Sequence, residues 1–200
     1  MTLLQINASI SHHEGQSSRL ADQFVAAFKA RNPDAKIVLR DVAAADAVPH
    51  LDGHRFGAFT ARPEDRTVEQ HAVVAYSDAL IDEIRQADVI VLGLPMYNFG
   101  LPSQLKAYFD HIARAGVTFR YTEKGPVGLL GGRKVYVFAA RGGKYAGTPL
   151  DTQTGYVRDF LRFLGIEDVE FIYAEGLAMG TQSKETSLAK SAAEIARLAA

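Results

Sequence analysis

Residues 88–102 read DVIVLGLPMYNFGLP. The first seven, DVIVLGL, form a continuous apolar run. Such a run is a strand buried on both faces, the kind found in parallel sheets. The chain then leaves its core and at once places Met96, Tyr97, Asn98, Phe99 and Gly100 between Pro95 and Pro102. This segment suits neither helix nor strand. The prolines fix φ at its ends, Gly100 lets main chain come close to a neighbour, and Tyr97, Asn98 and Phe99 offer ring faces and a two-way amide. It reads as a rigid platform for something flat.

Working outward, apolar strands alternate with amphipathic helices. LLQINA (3–8), KIVLRDV (36–42), RKVYVFAA (133–140) and DVEFIYAEG (168–176) read as four further strands. Leu20, Phe24 and Phe28 recur every fourth position and mark a helix over 17–31. Helices are likewise predicted over 67–86, 103–115, 151–164 and 183–198. Residues 43–66, punctuated by Pro49, Gly53, Gly57 and Pro63, read as a long irregular loop, and such loops are often functional. VTFRYTEKGPVGLL (117–130) reads as a surface excursion. Five strands alternating with five helices predict an α/β fold: a doubly wound, five-stranded parallel sheet with helices on both faces. The expectation is one domain over 1–200.

Composition narrows the chemistry. The 200 residues are 48% hydrophobic, enough for a sizeable core. A formal net charge of -1 gives no reason to expect nucleic acid or an anionic membrane as partner. There is no cysteine. That excludes disulfides, thiolate catalysis and cysteine-held clusters, and a reducing cytoplasm is the expected home. The opening MTLLQINASI lacks a basic segment, a long apolar stretch and a cleavage site, so no signal peptide is expected. No apolar run approaches the roughly 20 residues of a membrane span. His12 and His13 lack a further ligand at metal spacing and are read as solvated, as is the mixed-charge run Lys184–Lys190.

In doubly wound sheets ligands bind beyond the carboxyl ends of the strands, at the switch in strand order. Three loops fall there. The first, ASISHHEGQSS, brings Ser9, Ser11, Gly15, Gln16, Ser17 and Ser18 to a helix amino terminus, where unpaired N–H groups and the dipole favour an anion. The second is the 95–102 platform. The third, ARGGKY (140–145), offers Gly142 and Gly143 for positive φ and close approach, with positive charge from Arg141 and Lys144. Together they describe a phosphate at one end and a planar polar ring at the other. No G-x-x-x-x-G-K-[ST], G-x-G-x-x-G or G-x-S-x-G is present, which argues against a nucleoside triphosphate, a fingerprint-bound dinucleotide and a serine hydrolase.

PMYNF, QLKAYFDHIARAGVTFRYTEKGPVGLL and ARGG together resemble the FMN-dependent azoreductases, also called NADH:quinone oxidoreductases, over nearly the whole chain. The resemblance implies a flavodoxin-like fold. It implies that Ser9, Gly15, Gln16 and Ser17 hold the FMN phosphate, that Met96, Tyr97, Asn98 and Phe99 line the isoalloxazine, and that Ala140, Arg141, Gly142 and Gly143 cover its pyrimidine end. Gly15 and Ala140 stand where that family commonly has serine, so backbone contacts are expected there. The implied reaction is ping-pong: NADH or NADPH gives hydride to the flavin, then a quinone or azo compound takes the electrons. The flavin carries the chemistry, so no side chain is expected to be catalytic and no metal is expected. Phe56, Phe59, Phe119 and Tyr121 are candidate walls of the substrate slot, and a homodimer in which some walls come from the partner is implied. A one-electron flavodoxin-type carrier is the alternative, against which the weak net charge speaks. A flavin-free scaffold on the same fold is a second.

Overall fold

The computed structural model describes residues 1–45 and 48–199. Five strands, β1 (Thr2–Asn7), β2 (Lys36–Asp41), β3 (Val89–Pro95), β6 (Lys134–Ala140) and β7 (Asp168–Ala174), form one parallel sheet in the order β2-β1-β3-β6-β7. The run at 88–94 is therefore the central strand, as its uninterrupted apolar character requires.

Period-two alternation sorts each strand between two cores. Leu4, Ile6, Ile90, Leu92, Val135 and Val137 face one side, where α3 (Val68–Gln86), α4 (Ser103–Ile112) and α5 (Thr154–Phe163) add Leu80, Leu105 and Val157. Leu3, Val91, Phe138 and Ile172 face the other, against Leu20 and Phe24 of α1 (Gln16–Arg31) and Ile195 of α6 (Thr181–Leu198). Gly93 matters to the second layer. A Cβ there would lie 3.2 Å from both the Ser17 carbonyl and Asn7 Oδ1, so its absence lets the first turn of α1 settle onto β3.

The sequence reading missed two features. Residues 53–60 form a short helix, α2 (Gly53–Thr60), followed by a 3-10 turn over Pro63–Asp65. Asp52 caps α2 by accepting from the Arg55 N–H at 2.8 Å. Only Ala58 of α2 is buried, so it carries no apolar stripe to announce it, and its two glycines read as breakers. The 117–130 excursion is a β-hairpin, β4 (Phe119–Thr122) with β5 (Gly125–Gly128). Helix α4 ends earlier than its pattern predicts. The Thr118 hydroxyl donates to the Ile112 carbonyl at 2.7 Å and accepts from the Arg114 N–H at 2.9 Å, which stops the helical ladder there.

The hairpin is seated by a contact between two glycines. A Cβ on Gly128 would lie 2.0 Å from Gly165 N and 2.1 Å from the Leu164 carbonyl carbon, both rigid main chain. Leu130 N–H donates to the Leu164 carbonyl at 2.8 Å beside it. Gly128→Ala is expected to destabilise the fold by about 1–3 kcal/mol, the usual range for overpacking, measured by urea unfolding of the protein and its variant.

Candidate functional site

The strand order switches at β1 and β3, and the three loops singled out above follow β1, β3 and β6, which are neighbours. They therefore share one rim, as expected for this topology.

The first loop ends at α1, whose amino terminus has Gly15 as its cap and no side-chain capping bond. Ser17 and Ser18 are fully buried, yet neither hydroxyl has a partner among the described residues. Two orphaned buried hydroxyls beside uncapped N–H groups are a polar cradle awaiting an anion, since such groups are costly to leave unpaired. Ser9 is buried next to them, its Oγ accepting from the Ser11 N–H at 3.2 Å. A Cβ on Gly15 would sit 2.1 Å from Ser9 Oγ and 2.5 Å from Ser9 Cβ. Glycine at 15 is thus what leaves room for the Ser9 side chain. Half-buried Gln16 opens the helix. His12, at φ 48°, pairs with Asp41 at 2.8 Å and ties this loop to the end of β2.

The second loop folds as a tight turn. Gly100 N–H donates to the Tyr97 carbonyl at 2.9 Å, and Tyr97 N–H returns to the Gly100 carbonyl at 3.3 Å. The central residues Asn98 and Phe99 lie at φ 49° and 64°, the pattern of a type I′ turn. Asparagine tolerates this conformation; for phenylalanine it costs on the order of 1–2 kcal/mol. Gly100, expected to allow close approach of main chain, is not in the left-handed region. Phe99 remains about half exposed, its ring edge 5.4 Å from Tyr145. The Tyr97 hydroxyl reaches back to the first loop, 3.1 Å from the Ile10 N–H and 3.3 Å from Ser9 Oγ, and joins the two loops.

The third loop is tied down from behind. The carbonyls of Arg141, Gly142 and Gly143 accept from the N–H groups of Leu177, Ala178 and Gly176. Glu175 Oε1 collects the Tyr145 and Ala146 N–H groups at 2.8 and 2.9 Å. Neither Gly142 nor Gly143 has positive φ, contrary to expectation. Gly143 is needed because the Tyr145 ring occupies the space of a Cβ, 2.5 Å away. Arg141 also departs from the reading. Its guanidinium is wholly buried, bound to Asp151 at 2.7 Å and Glu175 at 3.1 Å and lying over Tyr173. Its charge is neutralised behind the loop, so at the rim it offers main chain. Lys144 packs beside Gly176 and Met179 and does not line the cleft between the second and third loops. Burial alone would raise the Asp151 carboxyl, but hydrogen bonds from Arg141 and Thr154 outweigh it and hold the pKa below the usual range. This carboxylate therefore stabilises the fold above the ordinary aspartate range and loses that contribution as pH falls through its lowered pKa.

Between the second and third loops lies a 260 Å³ cleft lined by Met96, Asn98, Phe99, Gly142 and Tyr145. No charged side chain lines it. Buried Ala140 ends β6 just below. The carbonyls of Tyr97, Phe99, Gly100, Arg141, Gly142 and Gly143 are engaged, whereas the N–H groups of Asn98, Phe99, Gly142 and Gly143 have no acceptor among the described residues. The cleft is thus edged by free donors, a fit for a ring rich in acceptors.

None of the four substrate-wall candidates lines this cleft within one chain. Phe119 is core, packed on Phe163 at 4.2 Å. Tyr121, 74% exposed, projects from the hairpin, which docks at Gly165, ahead of β7 and so toward the amino ends of the strands. Phe59 lies under Arg114 and against His111, and Phe56 on the same helix is exposed. Asp151, Gln153, Glu175 and Tyr145, which shape the rim, were not singled out from the sequence. Only their adjacency to the third loop and the ends of strands could have drawn attention to them.

Among the described residues no cluster of His, Cys, Asp and Glu is arranged to hold a metal, and no helix is long and apolar enough to cross a membrane.

A sheet of this order with such a rim defines the flavodoxin-like class, and the family model described as "Flavodoxin-like fold" matches residues 1–199. The chain is 58% identical over 189 residues, 94% of each protein, to an FMN-dependent NADH:quinone oxidoreductase of Cellvibrio japonicus. The crystal structure of an azoreductase from Bacillus anthracis str. Sterne superposes with TM-score 0.91 at 29% identity, covering 100% of this chain and 98% of that one. An FMN-dependent NADH-azoreductase from Bacillus anthracis str. Ames Ancestor, in complex with FMN, gives TM-score 0.87 at 27% identity over 100% of both chains. The chain belongs to this flavodoxin-like family of FMN-dependent NADH:quinone oxidoreductases and azoreductases.

Two outcomes follow from the geometry. Ser17→Ala removes an orphaned hydroxyl, so the apoprotein should melt no lower than the parent, while FMN affinity falls roughly tenfold or more, the worth of one hydrogen bond to an anion. Calorimetry of both proteins with and without FMN checks it. Phe99→Gly should relieve the turn and stabilise the apoprotein by about 1 kcal/mol, read from denaturant unfolding.

Proposed function

We propose that the whole chain, 1–200, acts as a single FMN-binding domain and that the protein is an FMN-dependent oxidoreductase. It passes two electrons from NADH or NADPH to quinones and azo compounds by a ping-pong sequence. The observation that carries this is the pairing of an uncapped helix terminus holding two orphaned buried hydroxyls with a cleft edged by unpaired N–H donors. The first suits a phosphate and the second a flavin ring. Ser9, Gly15, Gln16 and Ser17 would hold the phosphate. Met96, Tyr97, Asn98 and Phe99 would line one edge of the ring, and the main chain of Ala140, Arg141, Gly142 and Gly143 the other. When bound, FMN supplies the chemistry, taking hydride from the nicotinamide and handing electrons to the acceptor.

The protein's own part is positional and electrostatic. With no cation lining the cleft, the peptide N–H dipoles at Gly142 and Gly143 would be the protein groups that stabilise negative charge on a bound ring. Those dipoles are held in place by the bonds that engage their carbonyls, so they need not reorganise. Exposed Phe99 and Tyr145 offer apolar edges to a planar visitor. The substrate slot would be completed by a second copy of the chain. Tyr121 stands exposed on its hairpin and none of Phe56, Phe59, Phe119 and Tyr121 lines its own chain's cleft, so such walls would be given to the partner in a homodimer. The absence of cysteine fits a cytoplasmic home.

Anaerobic mixing of the FMN-loaded protein with NADH should bleach the visible flavin band, and a quinone added afterwards should restore it. A flavin that NADH leaves coloured while a separate reductase bleaches it would make the protein a carrier instead.

A further inference from the structure

The strained turn of the second loop is gripped by two adjacent side chains outside all three loops, and one of them holds both of its ends. Gln153 caps the start of α5 and is fully buried. Its Nε2 donates to the Pro95 carbonyl at 2.9 Å and to the Gly100 carbonyl at 2.9 Å. Those two carbonyls bracket the turn. Only an NH₂ group can serve two acceptors at once, so the chemistry fixes which way the amide points. The adjacent Thr152 hydroxyl donates to the Phe99 carbonyl. Gln153 Oε1 has no partner among the described residues. A leucine would fill this volume with no unpaired oxygen, so simple packing does not account for an amide here. Left-handed residues such as Asn98 and Phe99 persist only where their surroundings over-determine them.

We propose that Gln153 is a positioning residue: it clamps the carbonyls on both sides of the Tyr97–Gly100 turn, holds Asn98 and Phe99 left-handed, and so keeps their N–H groups at the edge of the flavin cleft. This rests on the FMN reading above. The clamp requires a donor at position 153, which separates it from a role in filling space.

The test uses the full chain and three proteins, the parent, Gln153→Leu and Gln153→Glu, each stripped of FMN and titrated with it from pH 8 to pH 5.5. Gln153→Leu should bind FMN at least tenfold more weakly than the parent at every pH. Gln153→Glu should match it at pH 8, where the carboxylate cannot donate. As pH falls, the buried carboxyl takes a proton and regains one donor, so its affinity relative to the parent at the same pH should recover at least threefold. The parent serves as reference because the FMN phosphate titrates in the same range. Gln153→Leu binding within twofold of the parent, or a Gln153→Glu ratio that stays flat with pH, would overturn the clamp. Failure of both variants to fold would do so too, marking the residue as core alone. A parent protein that takes up no FMN would instead fell the functional reading.

Discussion

A single buried cation organises this rim. The guanidinium of Arg141 is sealed from solvent and must be matched by the carboxylates of Asp151 and Glu175. Breaking a buried pair leaves an uncompensated charge and costs about 3–5 kcal/mol, so these residues are bound to act together. Each carboxylate does a second job. Glu175 gathers the Tyr145 and Ala146 N–H groups and shapes the third loop. Asp151 accepts from Thr154 at the start of α5. That fixes the helix end carrying Gln153, whose amide reaches the second loop. Two loops distant in sequence thereby share one electrostatic anchor.

The same economy appears in how the loops treat their peptide groups. Carbonyls of Tyr97, Phe99, Arg141 and Gly142 turn to side chains or neighbouring main chain, while the N–H groups of Asn98, Phe99, Gly142 and Gly143 stay unpaired among the described residues. The result is a rim whose polarity comes from fixed dipoles rather than mobile charged side chains. Dipoles held in this way stabilise charge without first having to turn toward it. A site walled by lysine or arginine would favour anionic visitors over flat neutral ones; an uncharged cleft leaves room for quinone-like molecules.

Much of this was legible in the residues. An uninterrupted apolar run located β3, because a strand covered on both faces has no polar side to show, and apolar stretches broken by polar residues located the other four, edge strand β2 among them. Leu20, Phe24 and Phe28 located α1 for the complementary reason. The three loops emerged from topology and composition together. What stayed hidden was tertiary. Nothing in ARGGKY reveals that the arginine turns away from the rim, since its partners lie ten and thirty-four residues on in the chain. Positive φ was expected at Gly142 and Gly143, but the left-handed residues of the rim are Asn98 and Phe99. Gln153 looks like an ordinary polar residue before a helix until its two acceptors are seen. Helix α2 escaped because it buries almost nothing, and the hairpin because its seat is contact between two backbones.

The shared volume of Ser9 and Gly15 carries an evolutionary consequence. A hydroxyl on one side and a β-carbon on the other contend for the same few cubic ångströms. A descendant acquiring serine at 15 must first re-seat or lose the hydroxyl at 9. The effect of a substitution at either position therefore depends on the residue at the other, and the two are tested together rather than singly.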